Sequence, residues 1–348
     1  MPAPLAPLTA FPLLKPPPRR YAGEIIDAHM HSKDVESIQA YWDVADPLYG
    51  VRYAVPIVDF LTGKGLKDRF GERVQPAIWG IHPRNENFKD LSALRRGKEA
   101  HLENIAAAGM RIVKLWFTPR FHEWGSLRLD DPALDFFFER IRKLGLAILI
   151  HVADPDRWFA RQLSDLEQHG PKAEHYLQLV HRLEEFPEIT VQAAHFAAHP
   201  EDLDHLHDLL ERYPNLVLDS SATKWIAREF SVHGPAGRDF LVSHAERVVF
   251  GTDLVANPDR EKEGKLEHYA TRFYVHQMMW EQEGEFDSPI EDEDAPDVPR
   301  FRGLGLPAEV LRKFYWENAR RLYWDASAAK PRSVGVGQEA TAPAASAR

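Results

Sequence analysis

Two histidines separated by one residue, His29 and His31, end a short apolar run, Ile25-Ile26-Asp27-Ala28-His29-Met30-His31. Alternate side chains of a strand share a face, so both imidazoles would point the same way and could chelate one metal ion. Other ionisable residues end other apolar runs: Lys114 in MRIVKLWF, His151 in LAILIHV, His195 in ITVQAAHF and Asp253 in RVVFGTDL. Each alone has a plain explanation. A strand-end histidine is more often a hydrogen-bonded core residue than a ligand. Asp253 could cap a following helix, and Lys114 could lay its stem over apolar surface. Ionisable groups are costly to bury, and their recurrence at the ends of five separate runs points to one shared site. Cysteine is absent, so any metal must be held by nitrogen and oxygen.

The elements that would position these residues alternate along the chain. Strand-like runs fall at residues 24–31, 53–58 (weakened by the internal Pro56), 74–82, 110–117, 146–152, 189–196, 215–220 and 247–254. Helical patterns lie between them, among them residues 131–145, with Leu134, Phe137, Phe138, Ile141 and Leu144 on one face and Gly145 placed to end the helix. Strands apolar on both faces and alternating with helices predict a parallel sheet, and a (β/α)8 TIM barrel is its simplest closure. The rival, an open doubly wound sheet in two domains, needs a mid-chain linker, and the composition shows no break there. In such barrels chemistry sits at the C-terminal ends of the strands, where the ionisable residues fall.

Five motifs, DAHMH at 27–31, GMRIVKLW at 109–116, ILIHVADP at 148–155, TVQAAHF at 190–196 and VVFGTDL at 248–254, together resemble the amidohydrolase superfamily. Within it the likeness is to the amidohydrolase-related group of hydrolases and non-oxidative decarboxylases. The resemblance spans roughly residues 24–324, is specific in combination and weak motif by motif. It implies that His29, His31, His151 and Asp253 bind one divalent metal, Zn²⁺ first with Mn²⁺ or Fe²⁺ as alternatives, and leave a position for water. Asp253 would then move the water's proton, and His195 would orient the water or polarise the substrate. In two-metal relatives a carboxylated fourth-strand lysine, here Lys114, bridges the ions and the sixth-strand histidine binds the second. One or two ions per chain therefore stay open. The implied activity is hydrolysis of a C–N or C–O bond in an amide, lactone or related small molecule. The alternative is non-oxidative decarboxylation of a small aromatic or unsaturated acid.

Loops at the barrel mouth would set specificity, and Arg84, Trp116, Arg120 and His122 form an aromatic and cationic set suited to a planar acid. After the eighth strand a long insertion, about residues 257–303, carries a helical stretch with Leu266, Tyr269, Phe273 and Trp280 on one stripe. That stripe predicts packing against the barrel or a second subunit, hence a possible homo-oligomer. An acidic stretch follows and reads as a solvated loop, and because the insertion leaves from beside Asp253, part of it would form a lid. Residues 1–23 read as a Pro-rich extension, 24–325 as the barrel domain and 326–348 as a disordered tail. The net charge of −10 argues against nucleic acid as a partner. No signal peptide or membrane span is apparent, so a cytoplasmic enzyme acting on a small molecule is expected.

Overall fold

The computed structural model describes residues 17–82, 86–120, 127–257, 266–295 and 300–325. Most of the Pro-rich extension and the whole C-terminal tail lie outside these residues. Nine parallel strands form one curled sheet in the order β8-β7-β6-β5-β4-β3-β2-β1-β9. They are β1 (Ile25–Ser32), β2 (Val51–Val58), β3 (Ala77–Ile81), β4 (Ile112–Trp116), β5 (Ala147–His151), β6 (Val191–Ala193), β7 (Leu216–Asp219), β8 (Val248–Val249) and β9 (Val255–Ala256). Sequential neighbours in the sheet, with helices between them, are the signature of the TIM barrel expected from the sequence.

The ring closes through a single stretch of chain. β8 pairs with β7, β9 pairs with β1, and the residues between them bond to β1 through Ala28 N–H to Phe250 O at 2.8 Å and Asp253 N–H to His29 O at 2.7 Å. The eighth apolar run thus holds the short β8 and then a break that leads into β9. Pro56 remains inside β2, opposite Met30 and next to a register irregularity between Asp27 and Met30.

Two apolar layers hold the barrel. Ile26, Ala28, Val55, Ile57, Ala77, Ile112, Leu149, Val217 and Val249 form one cluster, joined by Tyr323 and Trp324 beyond the last strand. The larger cluster lies between the sheet and its helices. Asn318 donates to the carbonyls of Ala245 and Val248 at 2.7 and 2.8 Å. This fixes the C-terminal helix Asn318–Tyr323 beside the start of β8. Gly145 ends the helix Asp135–Leu144 with φ +63°, the left-handed turn that glycine adopts without a Cβ clash.

In the insertion, the helix Glu267–Glu281 buries residues all round, including His276, Gln277 and Glu281 as well as the aromatic stripe. Tyr49 donates to the carbonyl of Ala270 and Thr223 meets His276, so the stripe is covered by this chain's own helices. The acidic stretch is only partly a loop. Its start, β10 (Glu283–Asp287), pairs antiparallel with β11 (Arg300–Leu304). Asp292 pairs with Arg228 at 2.5 Å, and Asp294 pairs with Arg161.

Candidate metal centre

β1 carries His29 and His31 to the C-terminal end of the barrel, and the break between β8 and β9 brings Asp253 beside them. Asp253 Oδ1 lies 3.4 Å from His29 Nε2 and 3.2 Å from His31 Nε2. The three donor atoms lie within 4.8 Å of one another. His29 is buried, whereas the side chain of Asp253 keeps 34% of its surface exposed and so can meet a substrate. Asp253 is held at φ +61°, a left-handed conformation rare outside glycine.

The network behind the donors fixes their tautomers. His29 Nδ1 donates to Asp219 Oδ2 at 2.9 Å, which leaves the Nε2 lone pair turned toward Asp253 and His31. Ser221 spends its one hydroxyl proton on Asp219 and so accepts from His195 Nδ1 at 2.7 Å. His195 Nε2 therefore also keeps a lone pair. Asp219 accepts further from Gln192 Nε2 at 2.6 Å and from the backbone N–H groups of His195 at 2.9 Å and Ser221 at 3.1 Å. Burial alone would raise the Asp219 carboxyl, but the neighbouring His29 and these bonds hold it well below the ordinary carboxylate range.

Asp253 is held low in the same sense: burial raises it, and the His31 bond and the histidines around it prevail. Burial lowers the pKa of His29 and, more strongly, that of His195. Asp27, buried one turn of the pleat behind His29, accepts from Tyr41 Oη at 2.7 Å and Thr252 Oγ1 at 2.6 Å. Its burial raises it to about 7 despite those bonds. By gripping residue 252, Asp27 ties the Asp253 segment to β1.

Two imidazole nitrogens and a carboxylate oxygen, with one imidazole anchored by a carboxylate at its other nitrogen, fit a divalent ion of the Zn²⁺ or Mn²⁺ kind. His151, at the end of β5, enters the same chamber, its ring 4.7 Å from that of His195. Its Nε2 is engaged with Asp154 Oδ1 at 3.1 Å rather than converging with the other three donors. Lys114 is almost fully buried on β4, and burial lowers its pKa to about 8 against the opposing charges of Asp253 and Asp219.

His195 reaches its place by a turn that the sequence pattern conceals. β6 stops at Ala193, and His195, Phe196, Ala197 and Ala198 all take positive φ, between 53 and 58°. This buried left-handed turn swings the His195 ring onto Ser221 and beside His29, 5.1 Å between ring centroids.

A cavity of about 470 Å³ opens against the centre, lined by His31, Asp253, Trp79, Ile57, Asp59 and Lys33 among others. Trp116 ends β4 and stacks on His82 at 5.4 Å, and Arg120 is half-buried in the turn that follows. Arg84 and His122 lie outside the described residues. Sequence reasoning missed Asp219, Ser221, Asp27, Trp79 and Trp225, whose ring meets that of His195 at 5.6 Å. Only the aspartates carried a signal, as acidic residues inside otherwise apolar runs.

The chain belongs to the amidohydrolase family, whose profile matches residues 26–324. A search of curated protein sequences finds no match. Among solved structures, a putative 2-pyrone-4,6-dicarboxylic acid hydrolase from Pseudomonas putida is 16% identical, with a TM-score of 0.50 over 86% of this chain and 97% of that one. A 5-carboxyvanillate decarboxylase from Novosphingobium aromaticivorans, complexed with manganese and 4-hydroxy-3-methoxy-5-nitrobenzoic acid, is 13% identical, with a TM-score of 0.51 over 89% and 98% of the two chains. At these identities the likeness shows a shared fold. No helix among the described residues is long and apolar enough to cross a membrane.

Proposed function

We propose that the protein is a metal-dependent hydrolase that cleaves a C–N or C–O bond in a small molecule such as an amide or lactone. The observation that carries this reading is the convergence of His29 Nε2, His31 Nε2 and Asp253 Oδ1 beside a cavity that the Asp253 carboxylate faces. His29, His31 and Asp253 would hold a divalent ion, Zn²⁺ by their donor set, which when bound would supply Lewis acidity toward a substrate oxygen and lower the pKa of water. Asp253, ionised at neutral pH, takes the proton from the attacking water and hands it to the leaving group. His195 holds that water through its Nε2 lone pair, since its Nδ1 proton is committed to Ser221. His151, whose ring lies beside that of His195, would complete the ligand set. This reading takes one ion per chain with Lys114 unmodified; a second ion would require Lys114 to be carboxylated.

A second reading, decarboxylation of a small carboxylic acid, is favoured by Lys114, a buried cation that a substrate carboxylate would neutralise. Arg120, in the turn after β4, is the described cation from the expected acid-binding set. One experiment separates the readings: metal-stripped protein, reloaded with Zn²⁺ or Mn²⁺, is assayed against lactones and amides for acid release and against aromatic acids for CO₂ release. Hydrolysis that depends on the metal and falls about 10²-fold or more in Asp253→Asn is expected. Metal-dependent CO₂ release without hydrolysis would replace the first reading by the second.

A further inference from the structure

We propose that His207, Glu211 and His244 form a second metal site, on the outer wall of the barrel, that takes a borderline divalent transition ion such as Zn²⁺. One ligand atom from each lies within 4.8 Å of the other two. His207 and Glu211 are four residues apart on the helix Leu203–Arg212 and so share a face. His244 follows the helix Pro235–Ser243, and its ring packs on Phe240 at 4.9 Å, which fixes the direction of its Nε2. That nitrogen lies 2.8 Å from His207 Nδ1. His244 is buried while His207 and Glu211 are exposed, so the site has a rigid base and an opening to solvent.

Two imidazole nitrogens aimed at each other can share only one proton between them. A cation with bonds of about 2.0–2.1 Å would set them about 3.3 Å apart, so the pair need open by only about half an ångström. Glu211 then supplies the oxygen ligand, and two imidazoles with one carboxylate select Zn²⁺-like ions over Ca²⁺ or Mg²⁺. Arg247, the nearby cation, is turned to the carbonyls of Tyr213 at 2.6 Å and Leu216 at 2.8 Å. The contrast with Asp156, His199 and Glu201, a second such cluster, is instructive. There Lys172 Nζ already occupies the cation's position, 2.7 Å from Asp156 and 3.0 Å from Glu201.

The topology separates this site from the catalytic one. The helix Leu203–Arg212 returns from the end of β6 to the start of β7, and His244 precedes β8. Glu211 and His244 therefore lie at the N-terminal end of the strands, opposite His29, His31 and Asp253. An ion there would staple the segment entering β7 to the segment entering β8.

The test uses the untagged full-length chain, stripped with chelator and titrated with ZnCl₂, with bound metal counted by elemental analysis. The wild type is expected to hold one zinc more than His207→Ala, and Glu211→Gln to bind that extra zinc at least tenfold more weakly. Glu211→Gln changes an exposed side chain and should keep the wild-type melting temperature in chelator, whereas His207→Ala, which removes the hydrogen-bond partner of the buried His244 Nε2, is required only to remain folded there. Equal zinc stoichiometry in the wild type and His207→Ala overturns the site. So does a zinc-soaked crystal with no anomalous peak between His207 and His244.

Discussion

Asp219 decides the state of the centre without facing the cavity. It accepts from His29 Nδ1, Gln192 Nε2, the Ser221 hydroxyl and the backbone N–H groups of His195 and Ser221. An asparagine there keeps one acceptor oxygen and adds an N–H₂ group that must face a donor, so Asp219→Asn leaves buried donors unpaired whichever way the amide turns. We expect about 10- to 100-fold weaker metal binding, because His29 loses the partner that fixes its ring. A stability loss of about 1–3 kcal/mol should accompany it. Metal titration beside thermal melts checks both, and unchanged metal affinity would contradict the positioning role. The sequence shows His29, His31 and Asp253 because an ionisable group ending an apolar run stands out. Asp219 stands out only as an acid ending an apolar run before Ser220 and Ser221, and its role stays hidden because the partners that define it, His29, Gln192 and His195, come from distant segments.

At the scale of elements, the departures from the apolar pattern are where the site is built. The run at residues 189–196 reads as strand, yet its second half is a left-handed turn. Such backbone costs about 1–2 kcal/mol per residue and persists only where tertiary contacts over-determine it. Here the contacts are the His195 N–H to Asp219 and the His195 ring to Ser221. The run at 247–254 likewise breaks after Val249, and Gly251 permits the close approach to β1. A Cβ on Gly251 would lie 2.8 Å from His29 Cβ and 3.4 Å from Ser221 Cβ. Gly251→Ala should therefore push Asp253 away from His29 and His31, lowering metal affinity at least tenfold and stability by about 1–3 kcal/mol. Calorimetric metal titration reads the first and denaturant unfolding the second; a variant that loses stability but binds metal normally would show that the close approach serves packing alone. The helix Asp135–Leu144, by contrast, was legible to its last residue, because its face and its glycine stop are local signals. The insertion helix was legible as a helix, but its stripe did not reveal that the remaining faces are buried too.

The barrel as a whole follows from alternation, since eight apolar runs separated by helical patterns have few ways to bury both faces of a sheet. The docking of the insertion is less visible, because it depends on polar contacts between distant segments. His276 is one such contact. Trp280 Nε1, a donor only, lies 3.2 Å from His276 Nδ1, so the ring's proton sits on Nε2 and is donated to Thr223 Oγ1 at 3.0 Å. The ring also meets Phe250 at 5.3 Å, joining the insertion to the end of β8. Burial lowers the His276 pKa to about 3. Unfolded, the ring would titrate near 6.5, so as pH falls from about 6.5 toward 3 the unfolded state binds a proton that the folded state refuses. This group therefore removes stability on acidification, by up to about 1.4 kcal/mol per pH unit. Asp27, raised to about 7, acts in the opposite sense: it stabilises the fold at acid pH and loses that contribution as pH rises through 7. The two slopes overlap between about pH 4 and 6.5, so the pH profile of the wild type alone would not isolate either. Comparison with His276→Gln does, because glutamine can donate to Thr223 or accept from Trp280 and does not titrate. The stability of the wild type relative to this variant should fall steadily from pH 6.5 to 4.5 in denaturant unfolding, while the two run parallel above pH 7.5. A difference that stays constant across that acid range would mean that the ring is protonated in the folded protein and that the insertion is held by other contacts.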